Sequence, residues 1–208
     1  MAITLNPVQT TNAPGSFSIT LDGLMQGMAL DDPAARFALA GGMLDPAETL
    51  PMWGGVPIGE YLVTTAGAAA LNPAIRDTVK RATSAATMTG ISVFNQNHAM
   101  LNTPQSPVPL ASNGMLVNYY RNGSGARIPM QADPALISTL SGVIIGPTAL
   151  YWDVVNYRVT ATAAGNWALP TTLRVLSWNA ANSMVVTYNG ATGFATWTRN
   201  GPGVVLLI

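Results

Sequence analysis

The chain has 208 residues, long enough to bury a sizeable core, and it contains no cysteine. That excludes disulfides, a thiol nucleophile and thiolate metal sites. Charged side chains make up 9% of the residues, and nine basic and nine acidic groups cancel to a formal net charge of zero. Such a neutral chain, with a mean hydropathy of +0.29, favours association over dispersal.

In chain order, residues 1–20 hold Pro7, Pro14, Gly15 and many Thr and Asn residues without helical period or sustained alternation. They read as an extended N-terminal arm, ordered only against another surface. The alternative is a first edge strand with Phe17 and Ile19 on its buried face. Residues 21–60 are dense in Gly, Pro and Met, including Met25, Met28, Met43 and Met52. Asp32-Pro33-Ala34-Ala35 can open one helical turn. Arg36 to Ala40 then reads as a strand closed by Gly41-Gly42. Trp53-Gly54-Gly55-Val56-Pro57-Ile58 reads as a buried loop entering another strand. Asn72-Pro73 supplies an Asn cap and a proline at the first helical position, which predicts a short helix over 73–83, the one helix expected.

From residue 87 the pattern is β. Thr87–Phe94 is strand-like, 95–110 is a Pro- and Asn-rich loop, and Gly114–Tyr120 makes the next strand. Arg121-Asn122-Gly123-Ser124-Gly125 has turn chemistry before Ala126-Arg127-Ile128. Further strands are expected near 135–145, 150–160, 172–178, 183–188, 194–198 and 203–208. Asn189-Gly190 and Asn200-Gly201-Pro202-Gly203 read as the turns between the last three. The unbroken apolar run Val204–Ile208 suits a closing strand buried on both faces, inside a barrel or at a subunit seam. Many short strands with closely spaced turn signals predict a mainly β fold, a β-sandwich or β-barrel of jelly-roll-like character. The expected organisation is an arm over 1–20 and a single β-rich domain over 21–208.

Little in this sequence carries chemistry. His98 is the only histidine, with no nucleophile and orienting carboxylate placed beside it and no second ligand at metal spacing. Asp31-Asp32 suit the cap of a helical turn, and Asp45 with Glu48 suits a turn or helix start. Asn122-Gly123-Ser124-Gly125-Ala126 lacks the Gly-Lys-Ser/Thr ending of a phosphate loop. No catalytic residue, metal or cofactor is expected. Lys80 is the only lysine, and Arg76, Lys80 and Arg81 are offset by Asp77, a poor footprint for phosphates; nucleic acid is not an expected partner. No stretch of about 18 apolar residues occurs, so no membrane helix is expected. The start also has no basic region followed by an apolar one, so no secretory leader is expected. Trp152, Tyr157, Trp167, Trp178, Tyr188, Phe194 and Trp197 fall at alternate positions of strand-like runs, which favours core packing over a sugar-binding face.

Several stretches together resemble tailed-phage structural proteins. They are Ala40-Gly41-Gly42-Met43-Leu44, Leu50-Pro51-Met52-Trp53-Gly54-Gly55-Val56, Ala82-Thr83-Ser84 through Gly90-Ile91-Ser92-Val93-Phe94, Thr103 to Leu110, Tyr120 to Ile128, and Ala191 to Trp197 with its apolar tail. The family resembled is that of head decoration, or cement, proteins, over about residues 15–208. The resemblance implies a β-rich module of the virion exterior that binds the assembled major capsid protein and stabilises the shell. It also implies self-association as a trimer or dimer. On that reading the arm is a clamp, with Ile3, Leu5 and Phe17 as its partner-binding residues. The alternatives are a tail or baseplate component, or a glycan- or receptor-binding virion module using Trp152 and Trp178.

Overall fold

The structure, a computed structural model, describes residues 2–5, 17–20, 24–30, 35–62, 77–94, 101–103, 106–140, 142 and 149–208. The readings of Asp31-Asp32, Asn72-Pro73 and His98 concern residues outside that set. At the N-terminus β1 (Ala2–Leu5) and β2 (Phe17–Thr20) pair antiparallel, with Ile3 opposite Ile19 and Leu5 opposite Phe17.

The next strands are β3 (Leu39–Leu44), β4 (Pro57–Leu62), β5 (Asp77–Arg81) and β6 (Gly90–Val93). A hairpin of β7 (Leu101–Thr103) and β8 (Ser106–Leu110) precedes β9 (Leu116–Arg121). Strands β3, β5, β4, β6 and β9 close a barrel in that order. Closure leaves no open edge among them. The sandwich-or-barrel alternative is thereby resolved to a closed barrel in a mainly β chain.

Three local expectations are corrected. The helix expected over 73–83 is strand β5 from Asp77 onward, antiparallel to β4 and parallel to β3. Thr78 and Val79 are both buried in this pairing, and the β-branched pair fits a pleated surface better than a helix. The strand expected over Arg36–Ala40 is a 3-10 turn at Ala35–Ala38, and β3 runs through Gly41-Gly42 instead of stopping there. The strand expected near 135–145 is, in its first part, the helix α1 (Pro134–Leu140). Asp133 caps it, its Oδ1 accepting the Ala135 N–H at 2.9 Å, and Pro134 occupies the first helical position. Leu136, Ile137 and Leu140 give α1 its buried side.

The C-terminal third makes two more sheets. β10 (Arg127–Gln131), β14 (Arg174–Asn189) and β15 (Phe194–Leu207) form one, with β15 in the middle. β11 (Tyr151–Asp153), β12 (Arg158–Thr160) and β13 (Trp167–Ala168) form the other, joined to β10 through a bridge from Ala132 to Val159. The turn expected at Asn189-Gly190 is there. The turn expected at Asn200-Gly201-Pro202-Gly203 is not: β15 passes through it. Irregular register between Asn179 and Val185 absorbs the disturbance, with Asn200 at φ 58°. The Asn179 side chain accepts the N–H groups of Ala181 (3.0 Å) and Asn182 (2.6 Å), occupying donors that the irregular strand leaves without a ladder partner.

Val204, Val205 and Leu206 are consecutive and all buried, so the closing strand is covered on both faces. It achieves this between β10 and β14, outside the barrel. Each such side chain stabilises the fold by roughly 1.5–3 kcal/mol. One continuous apolar cluster runs from Leu44 and Trp53 in the barrel region to Leu206 and Ile208.

Candidate interaction surfaces

The titratable groups that the structure brings together serve the fold. Arg81 anchors the first cluster of them. Its guanidinium meets Glu48 at 3.0 Å, the Leu50 carbonyl at 3.1 Å and the Pro51 carbonyl, and it lies over the rings of Trp53 (5.0 Å) and Tyr157 (5.8 Å). Loss of solvent lowers its pKa, and Glu48 opposes that shift. Trp53 stacks on Tyr188 at 5.1 Å and meets Tyr157 edge-on at 5.2 Å, so this box joins β5, the loop before β4, the β11–β12 turn and β14. The ring geometry is that of packing partners, in line with the core reading for Tyr157 and Tyr188.

A second cluster lies between the small sheet and α1. Arg158 bridges Asp133 (2.9 Å) and Asp153 (3.2 Å). Burial pulls the Asp153 carboxyl up, but the Asn156 side chain and the N–H groups of Asn156 and Val155 hold it below its ordinary value. Those bonds lock the β11–β12 turn. A third cluster sits at one end of the barrel. Both nitrogens Nε and Nη2 of Arg121 donate to Glu60, at 3.0 and 2.6 Å, and the Tyr119 hydroxyl donates to the same carboxylate. Arg121 therefore lowers the Glu60 pKa, against the upward pull of burial. Among the described residues no group of three or more His, Cys, Asp or Glu converges as a metal site. No described helix is long and apolar enough to cross a membrane.

The surface offers contacts instead. An open cleft of about 420 Å³ lies between the β14–β15 tip and two loops, lined by Thr49, Pro51, Leu110, Ser112, Asn113 and Phe194. It presents hydroxyl, amide and apolar groups and no charge. Elsewhere Phe37 is 95% exposed, Leu62 82% and Val155 76%. Trp152 is only 3% exposed, so its face is closed to a glycan, whereas Trp178 is 41% exposed. The core reading therefore holds for Trp152 and fails for Trp178 and for Phe194, which is likewise exposed. Of the arm residues singled out from sequence, Ile3, Leu5 and Phe17 lie on the β1–β2 pair. Sequence reasoning missed Phe37 and Leu62, because an apolar residue in a charge-poor chain gives no local sign of which way it points.

The chain matches no protein-family model, no curated protein and no solved structure.

Proposed function

We propose that this chain is a virion structural protein that decorates the outer surface of an assembled capsid, binds the major capsid protein and stabilises the shell. The observation that carries the reading is a set of large apolar side chains held out to solvent, Phe37, Leu62, Val155 and Phe194, on a chain of zero net charge. Exposed apolar groups mark contact surfaces, and a neutral chain does not resist assembly. The resemblance of residues 15–208 to cement proteins supports the same conclusion. The mechanism is linkage: a protein that binds the assembled shell and not its free subunits stabilises the shell by mass action. Self-association belongs to the reading, because many copies share one shell.

The arm over residues 1–20 acts as the clamp, through backbone pairing with a neighbouring strand. Deleting residues 2–16 removes β1 and leaves the barrel and both C-terminal sheets intact. The truncated chain is expected to keep its thermal midpoint and circular dichroism while shell-bound copies, counted in a density map of the particle, disappear. Full occupancy by the truncated chain rules out the clamp. Failure of the intact chain to bind assembled shells, or a copy number typical of a tail component, overturns the reading.

A further inference from the structure

Four Asn-Gly pairs occur in the chain, at Asn113-Gly114, Asn122-Gly123, Asn189-Gly190 and Asn200-Gly201. Such a pair is chemically weak, because a glycine nitrogen with no Cβ beside it can reach the asparagine Cγ and close a succinimide ring. Ring closure needs a glycine N–H open to base, an amide Nδ2 free to leave, and support for the negative charge that develops on Oδ1. The fold treats the four pairs differently.

At Asn113 the nucleophile and the leaving group are both tied. The Gly114 N–H donates to the Leu44 carbonyl at 2.9 Å, and Asn113 Nδ2 donates to the Pro46 carbonyl at 3.1 Å. At Asn122 the side chain is held: Nδ2 donates to the Met88 carbonyl at 2.9 Å, and Oδ1 is buried without a donor, so charge would develop there unsupported. At Asn200 the following glycine is buried within β15 against the Val185 side chain, where base does not reach its N–H. Asn189-Gly190 differs from all three. Both residues are exposed at the β14–β15 tip, the space around Gly190 is open, and among the described residues its N–H meets no acceptor. Asn189 Oδ1 accepts the N–H groups of Ala191 at 2.9 Å and Thr192 at 3.3 Å, two donors aimed at the atom that takes the charge.

We propose that Asn189 is a modification site, the Asn-Gly pair at which the folded chain deamidates first. Base in the solvent takes the Gly190 amide proton, and the nitrogen bonds to Asn189 Cγ. The Cγ–Nδ2 bond then breaks, and Nδ2 takes a proton from water and leaves as ammonia. Water adds to either carbonyl of the succinimide and breaks one C–N bond, leaving aspartate or isoaspartate at this position. Water is the only co-reactant, so the inference stands apart from the capsid reading. The product sets a negative charge on a chain of zero net charge, beside Phe194 and the cleft it lines.

Peptide mapping by mass spectrometry, with fragmentation that distinguishes isoaspartate, tests it on the intact chain incubated at mildly alkaline pH. Asn189 is expected to convert at least about tenfold faster than Asn113, Asn122 or Asn200. In urea, where the fold is gone, the four pairs are expected to react at similar rates. Gly190→Ala, whose Cβ meets open space, is expected to slow conversion at Asn189 at least about tenfold. Its thermal midpoint should stay within about 2 °C of the parent. Equal rates in the folded chain, or earlier reaction at another of the pairs, overturn the proposal. A lead for Asn189 that persists in urea does the same, because flanking sequence and not the fold then selects it. So does an unchanged rate in Gly190→Ala, which would mean that the reaction bypasses the Gly190 nitrogen.

Discussion

At Gln26 a single amide closes two backbone groups from different parts of the molecule. Its Oε1 accepts the Val186 N–H of β14 at 2.8 Å, and its Nε2 donates to the Gly54 carbonyl of the loop before β4 at 3.3 Å. The side chain is buried, so neither partner can turn to water if it is lost. Gln26→Leu keeps the volume and removes both bonds. It should cost about 2–3 kcal/mol, most of it from the stranded Val186 N–H. Urea unfolding with an unchanged m-value reads that loss; a change within about 0.5 kcal/mol would mean that the amide is dispensable. Nothing in Leu24-Met25-Gln26-Gly27 marks this role, because a buried glutamine is recognised only by the partners that folding brings to it.

Among the elements, those whose signals are local were legible and those set by distant partners were not. Asn189-Gly190 turns β14 into β15 as its residues demand, and Ser92 shows why 53–58 reads as a buried loop. Its hydroxyl donates to the Trp53 carbonyl at 2.7 Å and accepts the Val56 N–H at 3.0 Å. Strand β5 was hidden because its case rests on β3 and β4, which lie far along the chain, whereas Asn72-Pro73 gave a strong local cue for a helix. The helix α1 carried its own start signal in Asp133-Pro134, which the strand-like mix of Leu, Ile and Thr in Ala135–Leu140 masked. The ends of β4 and β9 are tied across the shorter β6 by Glu60 and Arg121, and this tie has a pH signature. The Glu60 pKa lies below its ordinary value of 4.5. Its contribution is therefore fully present above that value and is lost as pH falls through the lower, folded value. Arg121 is about half exposed, so screening keeps the tie to about 1 kcal/mol. Glu60→Gln should lower stability by that amount at neutral pH and converge on the parent as pH falls below the folded Glu60 value. A constant gap between the two melting curves across that range would place the loss in packing instead.

For the whole molecule, the question is what makes the barrel and the C-terminal sheets one cooperative unit. Two stitches do so. The Arg81 box with Trp53, Tyr157 and Tyr188 is one. The other is the segment Leu24–Leu30, which reaches both edges of the β10–β15–β14 sheet. Its backbone exchanges bonds with Met184 of β14, and its Gly27 and Leu30 N–H groups donate to the Pro129 and Arg127 carbonyls of β10, each at 2.9 Å. From the same turn the Gly27 carbonyl accepts the Phe94 N–H at 3.0 Å, beside the barrel. Gly27 can do this because it sits at φ +76° with its Cα against Gly54; a Cβ there would lie 2.4 Å from two Gly54 backbone atoms. Alanine must leave both the left-handed conformation and the contact, at a cost of about 3 kcal/mol or more. The loss falls on the seam, because the barrel is closed through its own strands and β15 keeps both neighbours. Calorimetry of the intact chain should therefore show one transition, and Gly27→Ala should separate it into two, the barrel and the sheets melting apart. A single transition merely shifted to lower temperature would show that the Arg81 box and the shared apolar cluster still couple the two halves.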